Sequence, residues 1–406
     1  MSAAASRNNK SASLVPLNDR TVIDALRLSQ DYLSGTTRSL KKFQRSRSLK
    51  IATEAFIIVA AAWMYVAPPS SNWVEAHYSR TLYPRVQRSL TSLSNRFPFA
   101  LCDALVLLLA IGLIWWWLSR LKAAGRGRRL RTTGPLTFHT LALAGLALIL
   151  FQIVWGLNYS RVPLIEKLDY DTARVTDQSI SDIAKSCVTR LNASSSEVHS
   201  APWPDLDRWS QLLEPSFESV VSDLGVAGGI VPGRIKHSLS NPYLAASGIE
   251  GFIDPYGLES ILNNKILPVE QPFAMAHEWA HLAGFADESE ANFIALLTCL
   301  RSTDANVQYA GWLALYPELP ATAVHGDQPG NELRLDPRVV ADLEDIYRQR
   351  EKYIRPWVNA AQWRFYDRFL KANHVQAGVA SYGLFLRLLA GTRFGVNWAP
   401  AMRTST

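Results

Sequence analysis

The chain has 406 residues, a net charge of +7, 48% hydrophobic residues and 19% charged residues. A chain of this length holds two or three domains, or one domain and a membrane part. The basic excess is concentrated in two short runs beside apolar segments, at 41–50 and 120–131. No nucleic-acid-binding motif accompanies these runs, so we expect a lipid bilayer and no nucleic acid as a partner. Three cysteines are too few for a disulfide framework or a thiolate metal cluster.

The first part of the chain is predicted to be a flexible tail followed by a membrane region. Residues 1–36 have no apolar core near the first residue, which excludes a cleavable signal peptide. Residues 37–158 contain three apolar segments, at about 51–68, 100–119 and 136–157. Each is close to the roughly 20 residues that a transmembrane helix needs. Tryptophan and tyrosine at the segment ends favour membrane helices over buried helices of a soluble core.

The basic runs predict the orientation of these helices, because cytoplasmic loops are rich in lysine and arginine. Placing both runs in the cytoplasm puts the N-terminus inside and the loop at 68–98 outside. Three crossings then deliver residues 159–406 to the outer side. The sequence therefore predicts a multi-pass protein of the inner (plasma) membrane with an extracytoplasmic C-terminal domain.

Residues 159–406 have the composition of a globular domain, and the sequence predicts mainly helices in it. One helix is expected to end near Pro215 and another to begin there. The stretch "GIEGFIDP" at 248–255 is short and bounded by glycine, which favours a strand or hairpin edge. Asp336 followed by Pro337 is typical of a helix start, and Pro356 predicts a break between later helices. The expected fold class is a membrane-anchored α+β protein with a small sheet.

The stretch "HEWAH" at 277–281 carries the pattern of a catalytic metal site. His277 and His281 are four residues apart, so on a helix both imidazoles reach one metal ion. Zn²⁺ accepts imidazole and carboxylate ligands in tetrahedral geometry. Glu278 is placed about 100° around the helix, where a carboxylate acts as general base on a metal-activated water. Gly284 is expected to end this helix.

Three carboxylates follow as candidates for a third ligand: Asp287, Glu288 and Glu290. On a helical wheel Glu290 continues the apolar stripe of the next helix, whereas Glu288 falls toward solvent. A carboxylate on a buried stripe needs a partner such as a metal ion, so Glu290 is the preferred ligand. Two alternatives remain open: Asp287 as the ligand, and a capping box in which Asp287 is the N-cap and Glu290 occupies N3.

The stretch "HEWAHLAGFADESEANF" resembles the bacterial membrane family known as domain of unknown function 3810, whose members look like zinc peptidases. The resemblance extends from about residue 55 and includes "WGLNYSRVPL", "GIEGFIDPYGLES" and "SYGLFLRLLAG". It implies a few transmembrane helices, a metal site and a gluzincin-like (zincin) fold, but no substrate. The "EANF" segment is also similar to zinc peptidases that cleave phage and stress repressors. That second resemblance implies Glu290 as the third ligand.

The function expected from these features is a membrane-bound zinc metallopeptidase that hydrolyses protein or peptide substrates at the outer face of the membrane. A non-catalytic envelope protein with a structural or sensory metal is the alternative. An intramembrane protease is disfavoured, because the run at 268–290 is too polar for a bilayer. The strand at 248–255 is a candidate substrate edge. Tyr309, Tyr316 and His325 are candidate oxyanion donors, among which spacing does not choose.

Overall fold

The computed structural model describes residues 19–226, 229–325, 333–375 and 384–403. The first five helices are α1 Asp19–Val66, α2 Ser71–Trp73, α3 Tyr83–Ser94, α4 Leu101–Ala124 and α5 Arg129–Val154. A π-helix, Val74–Leu82, joins α2 to α3. The next helices are α6 Leu164–Lys167, α7 Asp177–Val198, α8 Leu206–Asp223, α9 Asn241–Ser247, α10 Gln271–Leu282 and α11 Glu288–Arg301. The last are α12 Ala305–Leu315, α13 Ala321–His325, α14 Pro337–Tyr353, α15 Pro356–Ala372 and α16 Phe385–Gly391.

Helix α1 begins at Asp19, so residues 19–36 of the predicted flexible tail are helical. No proline lies between Pro16 and Pro68 to break a helix. The amphipathic stretch before the first apolar segment is therefore continuous with it. Residues 1–18 lie outside the described ranges. Residues up to Val59 belong to one compact unit, and the chain from Ala60 onward forms a second.

The three predicted membrane helices are confirmed as helices long and apolar enough to cross a bilayer. They are Gln44–Val66, Leu101–Ala124 and Arg126–Val154. Their apolar side chains are largely exposed, including Trp63, Leu108 and Trp115. An exposed apolar surface of this length needs lipid around it. These helices indicate that the protein associates with a membrane.

The segment at 68–98, predicted to be an external loop, is helical and belongs to the core of the C-terminal domain. The Tyr83 hydroxyl donates to the Leu282 carbonyl (2.9 Å), and Thr91 Oγ1 donates to the Leu258 carbonyl (2.9 Å). The buried apolar side chains of this segment include Val74, Tyr78 and Tyr83. The arginines of this segment are exposed: Arg80, Arg85, Arg88 and Arg96. This segment of the predicted membrane region therefore packs with residues of the predicted C-terminal domain.

A three-stranded sheet joins the domain to the start of α4. The strands are β1 Ile235–Lys236, β2 Gly251–Asp254 and β3 Glu259–Leu262, in the order β1-β3-β2. The central strand β3 is parallel to β1 and antiparallel to β2. The strand order makes β2 an edge strand, and β2 lies within the stretch at 248–255 that was predicted to be a strand or hairpin edge. The fully buried Lys236 ammonium is paired with Glu259. The Glu259 carboxylate also accepts hydrogen bonds from the amides of Leu101 and Cys102.

The centre of the domain is the pair of helices α10 and α11, with α8 and α12 packed around it. Trp279 and Phe293 are fully buried there. Two predicted features of the outer helices are confirmed: Asp336 caps α14, and Pro356 begins α15. The two helices expected to meet at Pro215 are one helix, α8, with Pro215 inside it. The structure is mostly helical, as expected.

Candidate metal centre

Helix α10 presents both predicted histidines to one point, and a different neighbour holds each ring. His277 Nδ1 lies 2.8 Å from Asn292 Oδ1 on α11. His281 Nδ1 lies 2.8 Å from the Phe285 carbonyl, which accepts only and therefore requires a proton on that nitrogen. Both Nδ1 atoms thus face oxygen acceptors, and both Nε2 atoms point toward each other at 3.0 Å. This arrangement of the outer ring nitrogens is typical of metal-ligating histidines.

Gly284 ends α10, as predicted, and its conformation brings the Phe285 carbonyl back to His281. Its φ of 83° is left-handed, which glycine adopts at no steric cost. The Phe285 amide then donates to the Ala280 carbonyl across the helix end (3.1 Å). A Cβ on residue 284 would also lie 3.0 Å from the Tyr83 ring and 3.0 Å from Asn158 Oδ1.

The carboxylate that the structure brings to the histidines is that of Glu288, the first residue of α11. Its Oε2 lies 3.2 Å from His277 Nε2 and 3.5 Å from His281 Nε2. In tetrahedral zinc sites with ligand distances of about 2.0–2.1 Å, neighbouring ligand atoms are about 3.3 Å apart. The three edges of this triangle fit that spacing. Among the described residues these three form a group able to hold a metal ion.

The donor set can accept a cation at its centre. Glu288 is buried, and its Oε2 has no hydrogen-bond partner among the residues that the structure describes. His281 carries its proton on Nδ1, so in its neutral form Nε2 is a bare lone pair. Lone pairs and a carboxylate converge without a donor between them, which is costly in a buried place unless a metal or added protons neutralise it. A metal ion held by these three atoms would neutralise them.

The prediction that Glu290 completes this set is not what the geometry favours. Its carboxylate Oε1 accepts a hydrogen bond from the Leu164 amide (2.5 Å), away from the histidines. Asp287 is the N-cap of α11, accepting from the amides of Ser289 and Glu290. Half of the alternative capping box is thus present, but the Glu290 side chain does not return to the N-cap amide in the way a capping box requires.

The helical-wheel argument separated Glu288 from Glu290 as outward and inward residues, but α11 is buried on nearly every side. Twelve of its 14 residues are buried, including Glu288 itself, which was expected to face solvent. An apolar stripe tells which side of a helix is inward only when another side is exposed. In a fully surrounded helix it does not distinguish the side facing α10 from the side facing Leu164.

Glu278 lies in the same pocket of polar groups with its carboxylate buried. Burial raises its pKa to about 7, although the neighbouring His277 and His281 charges act in the opposite direction. Its Oε2 has no partner within the described ranges. A Cβ built on Gly251 of the edge strand would lie 2.6 Å from Glu278 Oε1. The glycine therefore lets the edge strand β2 approach the expected general base directly.

Residues after the third apolar helix complete the surroundings of the site, and sequence reasoning did not assign them a role. Trp155 Nε1 donates to the His281 carbonyl (3.0 Å), and its ring lies edge-on to the imidazole. Tyr366 on α15 donates a short hydrogen bond to Glu288 Oε1, and Tyr159 is hydrogen-bonded to Tyr366. The stretch "WGLNYSRVPL", at 155–164, had carried only family resemblance. In the structure this stretch lies beside the candidate ligands, and its Trp155 contacts His281.

The predicted oxyanion donors are not brought to the ligands in a comparable way. The Tyr309 hydroxyl donates to Asp342 Oδ2 (2.5 Å) on α14. Tyr316 begins a short 3₁₀ turn after α12. His325 ends α13, and its side chain lies outside what the structure describes. Tyr159 and Tyr366 are the tyrosine hydroxyls near Glu288.

Replacing Asn292 by alanine is expected to weaken zinc binding about 10- to 100-fold. This is the usual effect of losing the group that orients a ligating histidine, here His277. The matched control is Asn292→Asp, which keeps an oxygen acceptor for Nδ1 and should bind zinc at least as well as the native protein. Competition with a zinc chelator measures both. Equal affinities for Asn292→Ala and the native protein would contradict the orienting role.

Comparison with known proteins identifies a family but no characterised relative. The profile of the family described as "Protein of unknown function (DUF3810)" matches residues 78–390. The matched range covers α4, α5, the sheet, the residues of the candidate metal centre and most of the C-terminal helices. No curated protein and no solved structure matches the chain significantly. The match over most of the sequence confirms the resemblance seen in its motifs, and the chain belongs to the DUF3810 family.

Proposed function

We propose that the protein is a membrane-bound zinc-dependent peptidase. The observation that carries the proposal is the convergence of His277 Nε2, His281 Nε2 and Glu288 Oε2 within 3.5 Å of one another. Nitrogen and carboxylate ligands in this number suit catalytic zinc, which keeps a fourth position open. A purely structural metal site needs no further buried carboxylate beside its ligands. The buried Glu278 carboxylate therefore favours a catalytic site.

The residues of the site have distinct roles in peptide hydrolysis. Bound zinc makes water a stronger acid and polarises a carbonyl group. The Glu278 carboxylate accepts the proton of the attacking water and passes it to the nitrogen of the leaving amine. Asn292 and the Phe285 carbonyl hold the imidazoles so that both Nε2 atoms face the metal. Tyr366 holds Oε1 of Glu288, which leaves Oε2 for the metal.

An extended peptide is the substrate that fits the surroundings of Glu278. β2 is the edge of the sheet, with hydrogen-bonding groups on its unpaired side. Gly251 on this strand adjoins the Glu278 carboxylate. A peptide that adds to the edge by main-chain hydrogen bonds would run past the general base. This supports a protein or peptide substrate over a small molecule.

The outer face of the membrane is the side that we propose for the site. The segment at 71–94 packs into the C-terminal domain, so both lie on one side of the bilayer. The basic runs at 41–50 and 120–131 lie at the opposite ends of the apolar helices, which favours the cytoplasm for them. Trp155, just after α5, contacts His281. The ligands therefore lie near the end of the third apolar helix, and substrates are expected at the membrane surface.

The Glu278→Gln variant tests the proposal. Loss of a general base slows hydrolysis about 10²- to 10⁴-fold, so proteins cut by the native enzyme should accumulate in envelope proteomes of cells carrying the variant. Zinc content should be unchanged, because Glu278 is not a ligand. The control is Glu214→Gln, an exposed carboxylate on α8.

The rival function, a non-catalytic envelope protein with a structural or sensory metal, predicts a different outcome. If Glu278→Gln protein binds zinc, remains folded and causes no protein to accumulate, the peptidase proposal is wrong and the rival is supported. If native protein purified with its membrane helices binds no zinc, the ligand assignment is wrong as well.

A further inference from the structure

Helix α15 exposes aromatic and cationic side chains on one face, although it is part of the folded domain. Trp357 is 77% exposed and Phe365 is 66% exposed. Arg364 and Arg368 are exposed on the same side of the helix. Aromatic rings beside arginines are the composition of helices that lie in the headgroup region of a membrane. An ordinary water-facing helix has little reason to expose two large aromatic side chains.

The C-terminal part of α15 is attached to the end of an apolar helix. The Phe369 ring packs against Phe151 with a centroid distance of 6.2 Å. Phe151 lies in the last turn of α5, which ends at Val154. The Phe369 ring also lies edge-on to Tyr159, just beyond that end. This part of α15 is therefore at the level where the third apolar helix leaves the bilayer.

The N-terminal part of α15 is attached, through α9, to the start of another apolar helix. Asn359 donates to the Ser247 carbonyl at the end of α9 (2.7 Å). Just before α9, Ser238 Oγ and the Leu239 amide donate to the Asp103 carboxylate (2.6 and 2.8 Å). Asp103 lies in the first turn of α4. The start of α4 and the end of α5 are on the same side of the bilayer, because a single connection joins their other ends.

We propose that α15 lies along the membrane surface as an interfacial helix. Trp357 and Phe365 enter the headgroup region, while Arg364 and Arg368 contact the phosphate groups of anionic lipids. Attachment at both ends to the same level holds the helix roughly parallel to the bilayer. Apolar burial and attraction of cations to anionic lipid both stabilise such an arrangement. The lipid surface is favoured over a protein partner because both parts of α15 are attached to the ends of helices long and apolar enough to cross a membrane.

The opposite face of α15 reaches the metal centre, which gives the membrane contact a consequence. Tyr366 donates to Glu288 Oε1, one residue along from the exposed Phe365. A helix held at the headgroups thus supports a metal ligand with its inner side. The location of α15 at the membrane surface does not depend on peptidase activity.

Spin labels on the full-length protein in nanodiscs test the inference. Trp357→Cys and Phe365→Cys each introduce a labelling position, and the three native cysteines are buried. Ser186→Cys, on the exposed side of α7, is the control. In nanodiscs of phosphatidylcholine with phosphatidylglycerol, labels at 357 and 365 should collide several-fold more with oxygen, relative to a water-soluble nickel complex, than the label at 186. Equal ratios at all three positions would overturn the inference, including the case in which a protein partner covers this face.

The charge contribution has its own test. The double substitution Arg364→Glu with Arg368→Glu should move the labels at 357 and 365 toward water in nanodiscs containing phosphatidylglycerol. In nanodiscs of phosphatidylcholine alone the same substitution should have a smaller effect, because the anionic charge is absent. A substitution effect that is the same in both lipids would overturn the assignment of the arginines to anionic phosphates.

Discussion

Zinc binding is expected to be lost when Glu288 is replaced by glutamine and retained when Glu290 is replaced in the same way. Glu288 Oε2 lies within 3.5 Å of both His Nε2 atoms, whereas Glu290 Oε1 accepts from the Leu164 amide. Glutamine at 288 removes the anionic ligand. The loss should exceed the 10- to 100-fold typical of a residue that only orients a ligand. Zinc stoichiometry and chelator competition on the full-length protein measure the difference.

The two substitutions are well matched in shape and place, because both replace a buried glutamate in the first turn of α11 by the amide of the same size. Glutamine at 290 keeps a carbonyl oxygen that can accept from the Leu164 amide, so the local fold should survive. Thermal unfolding distinguishes loss of zinc from loss of structure. Retention of zinc by Glu288→Gln together with its loss in Glu290→Gln would restore the ligand predicted from sequence and refute the geometry described above.

The spacing of the histidines could be predicted because it depends on a single helix. His277, Glu278 and His281 are placed by the 3.6-residue period of α10, and the αL glycine at 284 ends that helix where the sequence indicates. The third ligand depends on how a second helix packs, and α11 is enclosed on all sides. Its hydrophobic pattern contained no information on which side faces α10.

The residues that hold the candidate ligands differ in how far the sequence could predict them. Asn292 follows Glu288 by four residues, so a helix that offers Glu288 to a metal also offers Asn292 to the same side. That local signal was present in "ESEAN" and was not used. Tyr366 is 78 residues away from Glu288 along the chain, and only the folded structure brings them together. No spacing rule reaches such a contact.

The same difference between local features and contacts of distant residues applies to the fold. Apolar length predicted three membrane-spanning candidates, because that property belongs to each segment alone. The segment at 68–98 was predicted to be a connecting loop because it lies between two apolar segments, but its side chains find partners far along the chain at Leu258 and Leu282. A position between two membrane-spanning candidates does not show whether the connecting segment packs into a distant part of the fold.

The Glu75→Gln variant is expected to lose about 3 kcal/mol of unfolding free energy at neutral pH, the lower end of what breaking a buried ion pair costs. Glu75 is buried between Arg161 (3.2 Å) and Lys167 (3.1 Å). Arg161 also donates to the Gly284 carbonyl (2.8 Å), and its guanidinium lies 4.4 Å from the centre of the Phe285 ring. Removing the carboxylate therefore loosens the turn that holds His281.

The pH dependence of this loss identifies its cause. Burial raises the pKa of Glu75, but Arg161 and Lys167 outweigh it and lower the pKa to about 2 from its ordinary 4.5. A carboxyl with a lowered pKa stabilises the fold fully above its unfolded-state value and loses that effect as the pH falls toward the folded-state value. The difference between native and Glu75→Gln protein should be constant from pH 5 to 7 and shrink below about 4.5.

Denaturant unfolding of the detergent-solubilised protein at several pH values measures this difference. The control is Glu166→Gln, an exposed glutamate close to the same cations in sequence, which should change stability by less than about 0.5 kcal/mol at any pH. A Glu75→Gln deficit that does not change between pH 7 and pH 3 would mean that packing, and not the ion pairs, fixes the turn. Because that turn carries the Phe285 carbonyl, an ionic cause also implies that zinc affinity falls with the same substitution.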